Sequence, residues 1–214
     1  MKKLFILISS FLLIANPANA NFNFSFQAVT NNNPLDVEIG QNQLFVNVQQ
    51  ADTDQVLFNF TNIGPQPSSI TDIYFTEGSL LQIASIDNSD PGVSFSIGAN
   101  PKHLPGTDIF KSTGSNPITV FSLDSDSPVQ PNGINPTESL GVTFALQPNK
   151  LFSDVIDELQ SGAIKIGIHV QGFGTEGSES FVNNGIVVTP APAALILACI
   201  GIPSISWIKN RRRT

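Results

Sequence analysis

The chain has 214 residues, a formal net charge of −7, 41% hydrophobic residues and a single cysteine. One Cys and two His cannot build an intrachain disulfide or a Cys/His zinc cluster, so the fold must rest on its apolar core. Between residues 21 and 189 lie all seventeen acids but only four lysines, a net −13 that excludes the basic surface a phosphate backbone requires.

Residues 1–20 read as a secretory signal peptide. Lys2 and Lys3 supply the positive start, and Leu4 to Ala15 form an apolar run too short for a membrane span. Ala18-Asn19-Ala20 offers the small residues a signal peptidase needs, which places cleavage after Ala20. No Cys follows that site, so lipid attachment there is excluded.

Residues 21–188 read as one all-β domain. Apolar and polar residues alternate at Phe22–Phe26, Leu44–Val48, Val56–Thr61, Val93–Ile97, Leu140–Leu146 and Ile164–Val170, the period-two pattern of a strand with one face on a core. Denser segments at Ile70–Thr76, Leu80–Ile86, Ile118–Leu123 and Phe181–Val188 bring the candidates to about ten. Turn formers separate them: Gly64-Pro65, Asp90-Pro91-Gly92, Pro105-Gly106 and the Pro/Asn/Gly-rich run from Asp124 to Pro136. Many short strands so punctuated point to an antiparallel, jelly-roll-like β-sandwich, with an up-and-down barrel as the alternative. One short helix breaks the pattern. Phe152, Val155, Ile156 and Leu159 fall at i, i+3, i+4 and i+7, with Ser153 as N-cap and Gly162 as C-cap.

Three polar groupings could carry chemistry. Asp154, Asp157 and Glu158 share the polar face of that helix. Paired carboxylates can serve glycoside hydrolysis, but such a triplet on a surface helix is far more often a solvated face. Asp87, Asn88 and Asp90, and then Asp124, Asp126 and Asn132, gather hard oxygen ligands on loops, as a structural calcium ion would require. The same residues form ordinary turns through bonds to local backbone, and EF-hand spacing is absent. His169 stands on the row opposite Ile164, Ile166 and Ile168, with no nucleophile motif beside it.

Residues 189–214 form a separate C-terminal segment. Pro190-Ala191-Pro192 precedes an apolar stretch from Ala193 to Ile208, and Lys209, Arg211, Arg212 and Arg213 follow. Sixteen to eighteen apolar residues reach about 24–27 Å, just short of a hydrocarbon core of about 30 Å, and Pro203 weakens the helix further. The basic cluster would stay on the cytoplasmic side. This three-part tail resembles the PEP-CTERM sorting signal of Gram-negative bacteria, with Ala191 in place of the usual middle Glu. The body from Asp124 to Asn183 resembles a recurrent PEP-CTERM group of mostly unassigned function. The resemblance implies an exosortase-type processing enzyme as partner, transient anchoring in the inner membrane through residues 193–208, and a destination in the envelope or extracellular matrix.

Taken together, the sequence predicts a non-enzymatic, exported surface or matrix protein, associated with exopolysaccharide. The alternative is a carbohydrate-binding sandwich module, with or without calcium. One Tyr (Tyr74) and one Trp (Trp207, in the tail) leave few aromatic platforms for a sugar.

Overall fold

The computed structural model describes residues 21–111 and 120–188. Ten strands and three helices alternate as β1 (Asn21–Ala28), α1 (Pro34–Gln43), β2 (Leu44–Asp52), β3 (Gln55–Asn62), β4 (Ser69–Thr76), β5 (Leu80–Asp87), β6 (Phe95–Ile97), β7 (Val120–Ser125), α2 (Val129–Asn132), β8 (Ser139–Leu146), α3 (Phe152–Ser161), β9 (Ile166–Gln171) and β10 (Glu179–Val188). All ten strands join one nearly closed antiparallel sheet, in the order β5-β8-β3-β2-β1-β10-β9-β4-β7-β6. The all-β expectation holds.

The period-two pattern explains the core. Leu44, Val46 and Val48 on β2, Val56, Phe58 and Phe60 on β3, and Leu140, Val142 and Phe144 on β8 are fully buried. Their alternates face outward. The rings of Phe58, Phe60 and Phe144 meet Phe75 of β4 at centroid separations of 5.1, 5.9 and 4.8 Å, all edge-on. Each such pair contributes about 0.5–1.5 kcal/mol beyond its buried area.

Besides the single turn α2, which lies inside the run read as turn formers, the helices depart from expectation in two ways. First, α1 is a second ten-residue helix that the apolar pattern did not announce, because it buries Asp36, Gly40 and Gln43 and no apolar stripe. Its start is set locally: Asn33 accepts the Leu35 N–H at 3.0 Å and Pro34 follows as the first helical residue. Second, Ser153 does not cap α3. Leu151 is the capping residue, and Asp154 reaches back to accept its N–H at 2.7 Å. Gly162 does close that helix, in the left-handed conformation at φ 79°. Val155, Ile156 and Leu159 bury the apolar stripe as expected.

One connection forms a second layer. Residues Gly98–Lys111, a strap between β6 and β7, lie over the outer face of β9, β4 and β10, where Leu104 and Phe110 bury against Tyr74 and Val182. Gly167 on β9 makes room for it, since a Cβ there would stand 2.7 Å from the Phe110 ring and 2.8 Å from Leu104. No helix among the described residues is long and apolar enough to cross a membrane.

Candidate functional site

The outer surface of the sheet carries two polar rows of contrasting chemistry. The first runs under and beside the strap. Strand register sets Ser180 opposite His169, His169 opposite Asp72, Asp72 opposite Asp124, and Asp124 opposite Ser96. Asp72 is 2% exposed, and its Oδ2 accepts the Thr71 hydroxyl at 3.0 Å. Burial pushes the Asp72 carboxyl up to about 7; the Thr71 hydroxyl opposes the rise and the Asp124 charge adds to it. Burial also raises Asp124, with Asp126 contributing. Burial holds the His169 imidazole below its usual range, against the pull of Glu179.

Ser180, His169 and Asp72 are the residue types of a hydrolytic triad, but their geometry is different. The Ser180 hydroxyl meets His169 Nδ1 at 3.2 Å, Asp72 bonds to Thr71, and Ser180 is 1% exposed. A sealed hydroxyl offers no attack on a substrate carbonyl.

The sequence-predicted candidates are dispersed over the fold. Asp87 accepts the Ser89 N–H at 3.1 Å, and Asp90 accepts both the N–H and the hydroxyl of Ser139 at 2.8 and 3.1 Å. Asp126 takes the hydroxyls of Ser94 and Ser96 at 2.6 and 2.8 Å, and these bonds hold its carboxyl below the usual range. Asn132 donates to the Asp126 carbonyl at 3.1 Å. No three His, Cys, Asp or Glu side chains among the described residues are grouped to hold a metal ion. The helix carboxylates also separate. Asp154 caps α3, Asp157 is exposed, and Glu158 accepts the N–H and hydroxyl of Ser79 at 2.6 and 2.7 Å while Lys150 approaches at 3.3 Å. Ala18 and Ala20, the Pro190-Ala191-Pro192 motif and the cluster Lys209, Arg211, Arg212 and Arg213 lie outside the described residues.

The second row went unnoticed in the sequence. Asn23 stands opposite Asn47, Asn47 opposite Asn59, and Asn59 opposite Gly141, so three side-chain amides cross β1, β2 and β3 in line. Asn47 Nδ2 donates to Asn23 Oδ1 at 2.6 Å, and Ser25 donates to Asn184 at 3.0 Å on the neighbouring strand pair. Gln49, Gln55, Thr61 and Thr143 share this outer face, all half-buried. Across the whole of β1, β2, β3 and β8 the sole ionisable side chain is Asp52, at the hairpin end of β2. A side-chain amide can both donate and accept hydrogen bonds, and Asn59 has no side-chain partner among the described residues. The signal was present as Asn, Gln, Ser and Thr at alternate positions, but its alignment depends on register. Comparison with known protein families, with curated proteins and with solved structures finds no match.

Proposed function

We propose that this chain is an exported envelope or matrix protein whose amide face rests against neutral exopolysaccharide. The observation that carries this reading is a sheet face of amides and hydroxyls around Phe45 and Leu57, with its charges confined to Asp52 and Asp87 at the rim, on a domain of net −13. A neutral glycan offers hydroxyls that donate and accept, as amides do, and an uncharged face loses no ionic hydration when it is covered. The acids elsewhere keep the domain apart from anionic neighbours.

Delivery in this reading comes from the two ends: export by residues 1–20 with cleavage after Ala20, then sorting through the PEP-CTERM-like tail and an exosortase-type enzyme. The sheet is read as a flattened, jelly-roll-like sandwich. Support comes from Phe58 and Phe75, 5.1 Å apart although their strands stand five places apart in the sheet order.

Affinity electrophoresis through gels holding a neutral or an anionic polysaccharide tests the glycan contact. The protein should be retarded by the neutral polymer alone, and Asn47→Asp with Asn59→Asp should release it. Equal mobility in neutral-polymer and blank gels would rule out the glycan contact.

A further inference from the structure

The strap and the acid pair beneath it lie apart from the amide face. Asp72 and Asp124 oppose each other on neighbouring strands, and Asp72 Oδ1 is buried without a hydrogen-bond partner among the described residues. The backbone N–H of Asn100 in the strap lies beside both carboxyls and works against the rise that burial causes. One residue on, the Tyr74 hydroxyl donates to the Pro101 carbonyl at 2.7 Å, and one residue back the Ala99 N–H donates to Ser122 at 3.0 Å. We propose that the Asp72–Asp124 pair is a pH-operated latch: sharing one proton it holds the strap Gly98–Lys111 down, and on losing that proton it lets the strap lift from β9 and β4.

The groups around Asp72 set the direction. From β7 come Asp124 and, two residues on, Asp126; from β10, Glu179 lies against His169. His169 on β9 is held toward its neutral form by burial, and Tyr74 on β4 keeps its proton for the same reason. The strap's own Lys102, Asp108 and Lys111 are exposed, the last two paired at 2.7 Å, and His103 is half-buried, while the charge of Asp124 acts on Asp72. Ionising the pair therefore sets the charge of the buried Asp72 against that of the half-buried Asp124, with no cation paired to either among the described residues.

Lifting the strap returns Asp72 to water, where it recovers ordinary acidity. With Asp72 titrating near 7 when closed and near 3.8 when open, opening grows with pH across that interval, by up to about tenfold per unit, and levels off above it. The open form uncovers Tyr74 and Val182, an apolar strip that the closed form hides.

Hydrogen exchange of the full-length protein in detergent and chelator, between pH 4.5 and 8.5 and corrected for intrinsic rates, tests the latch. Exchange at residues 98–111 should climb toward pH 7 and then flatten, while β2 and β3 stay constant as an internal reference. Asp72→Asn, which keeps the shape and cannot ionise, should remove the climb; Asp108→Asn, an exposed strap acid, should preserve it. Asp124→Asn repeats the comparison should Asp72→Asn fail to fold. A flat wild-type profile, or a climb unchanged in every folded pair variant, overturns the proposal.

Discussion

The side-chain amide of Asn88 binds both backbone groups of Phe95: Oδ1 accepts its N–H at 2.9 Å and Nδ2 donates to its carbonyl at 3.1 Å. Asn88 directly follows β5 and Phe95 opens β6, the strands at the two ends of the sheet order. One side chain thus imitates a strand partner where the two edges approach, and blunts what would be an open edge.

Asn88→Ala should cost about 1–3 kcal/mol, because it strands Phe95's backbone groups, which lie against a side chain only 2% exposed. Asn88→Asp keeps the acceptor but loses the donor and should fall between the two. Urea midpoints at constant slope measure both; an Ala variant as stable as wild type would show that the seam contributes nothing.

Stability should fall as pH rises from about 4 to 7, the reverse of the usual acid sensitivity. A carboxyl raised when folded binds its proton more tightly in the folded state, so its penalty is absent below the unfolded value of 3.8 and complete above about 7. For Asp72 the penalty is up to about 4 kcal/mol, capped wherever release of the strap comes first. His169, held low by burial, works in the opposite sense: its contribution is lost as pH falls below the ordinary histidine value. Denaturant midpoints at pH 5 and 8 for wild type and Asp72→Asn separate the two groups, since the variant should lose the Asp72 fall and keep the His169 slope.

Calcium should leave the melting temperature unchanged. Asp87, Asp90 and Asp126 already accept N–H and hydroxyl donors from Ser89, Ser139, Ser94 and Ser96. A ligand that binds only the folded state adds about 2.7 kcal/mol at a hundredfold excess over its dissociation constant, so thermal melts in millimolar calcium and in chelator decide the matter. A rise of several degrees with calcium would reinstate the loops as ligands.

Deleting residues 190–214 should give a folded domain that is still exported but no longer retained in the envelope. On the proposed reading, an apolar run this short holds a bilayer only marginally and takes its orientation from Lys209, Arg211, Arg212 and Arg213. Neutralising those four should weaken retention and leave folding alone. Fractionation into periplasm, membrane and medium reads both variants; a truncated chain that stays with the membrane, or unfolds, would make the tail part of the domain.

Much of this architecture was legible because strand and helix periods are local properties. The alternation along Leu44–Val48 or Leu140–Leu146 and the Phe152–Leu159 spacing each announce an element without reference to any other. Helix α1 was not legible that way, since Leu35 lies 63% exposed and the buried side of the helix is polar. Its cue was the cap, Asn33 before Pro34. The acid pair joins residues 52 positions apart and the amide row joins three strands, so both arise only once register is fixed.

The place of β10 in the sheet bears on how the molecule comes into being. Glu179–Val188 lies between β1 and β9, and without it the order divides into a five-strand piece ending at β1 and a four-strand piece beginning at β9. A chain emerging from its N-terminus therefore carries two half-sheets with bare edges until its final strand appears. Closure then couples residues more than 150 positions apart, such as Ala28 with Phe181, a long-range pairing that makes folding slow and late. The two ladders that join the half-sheets therefore close only once residues 179–188 have been made.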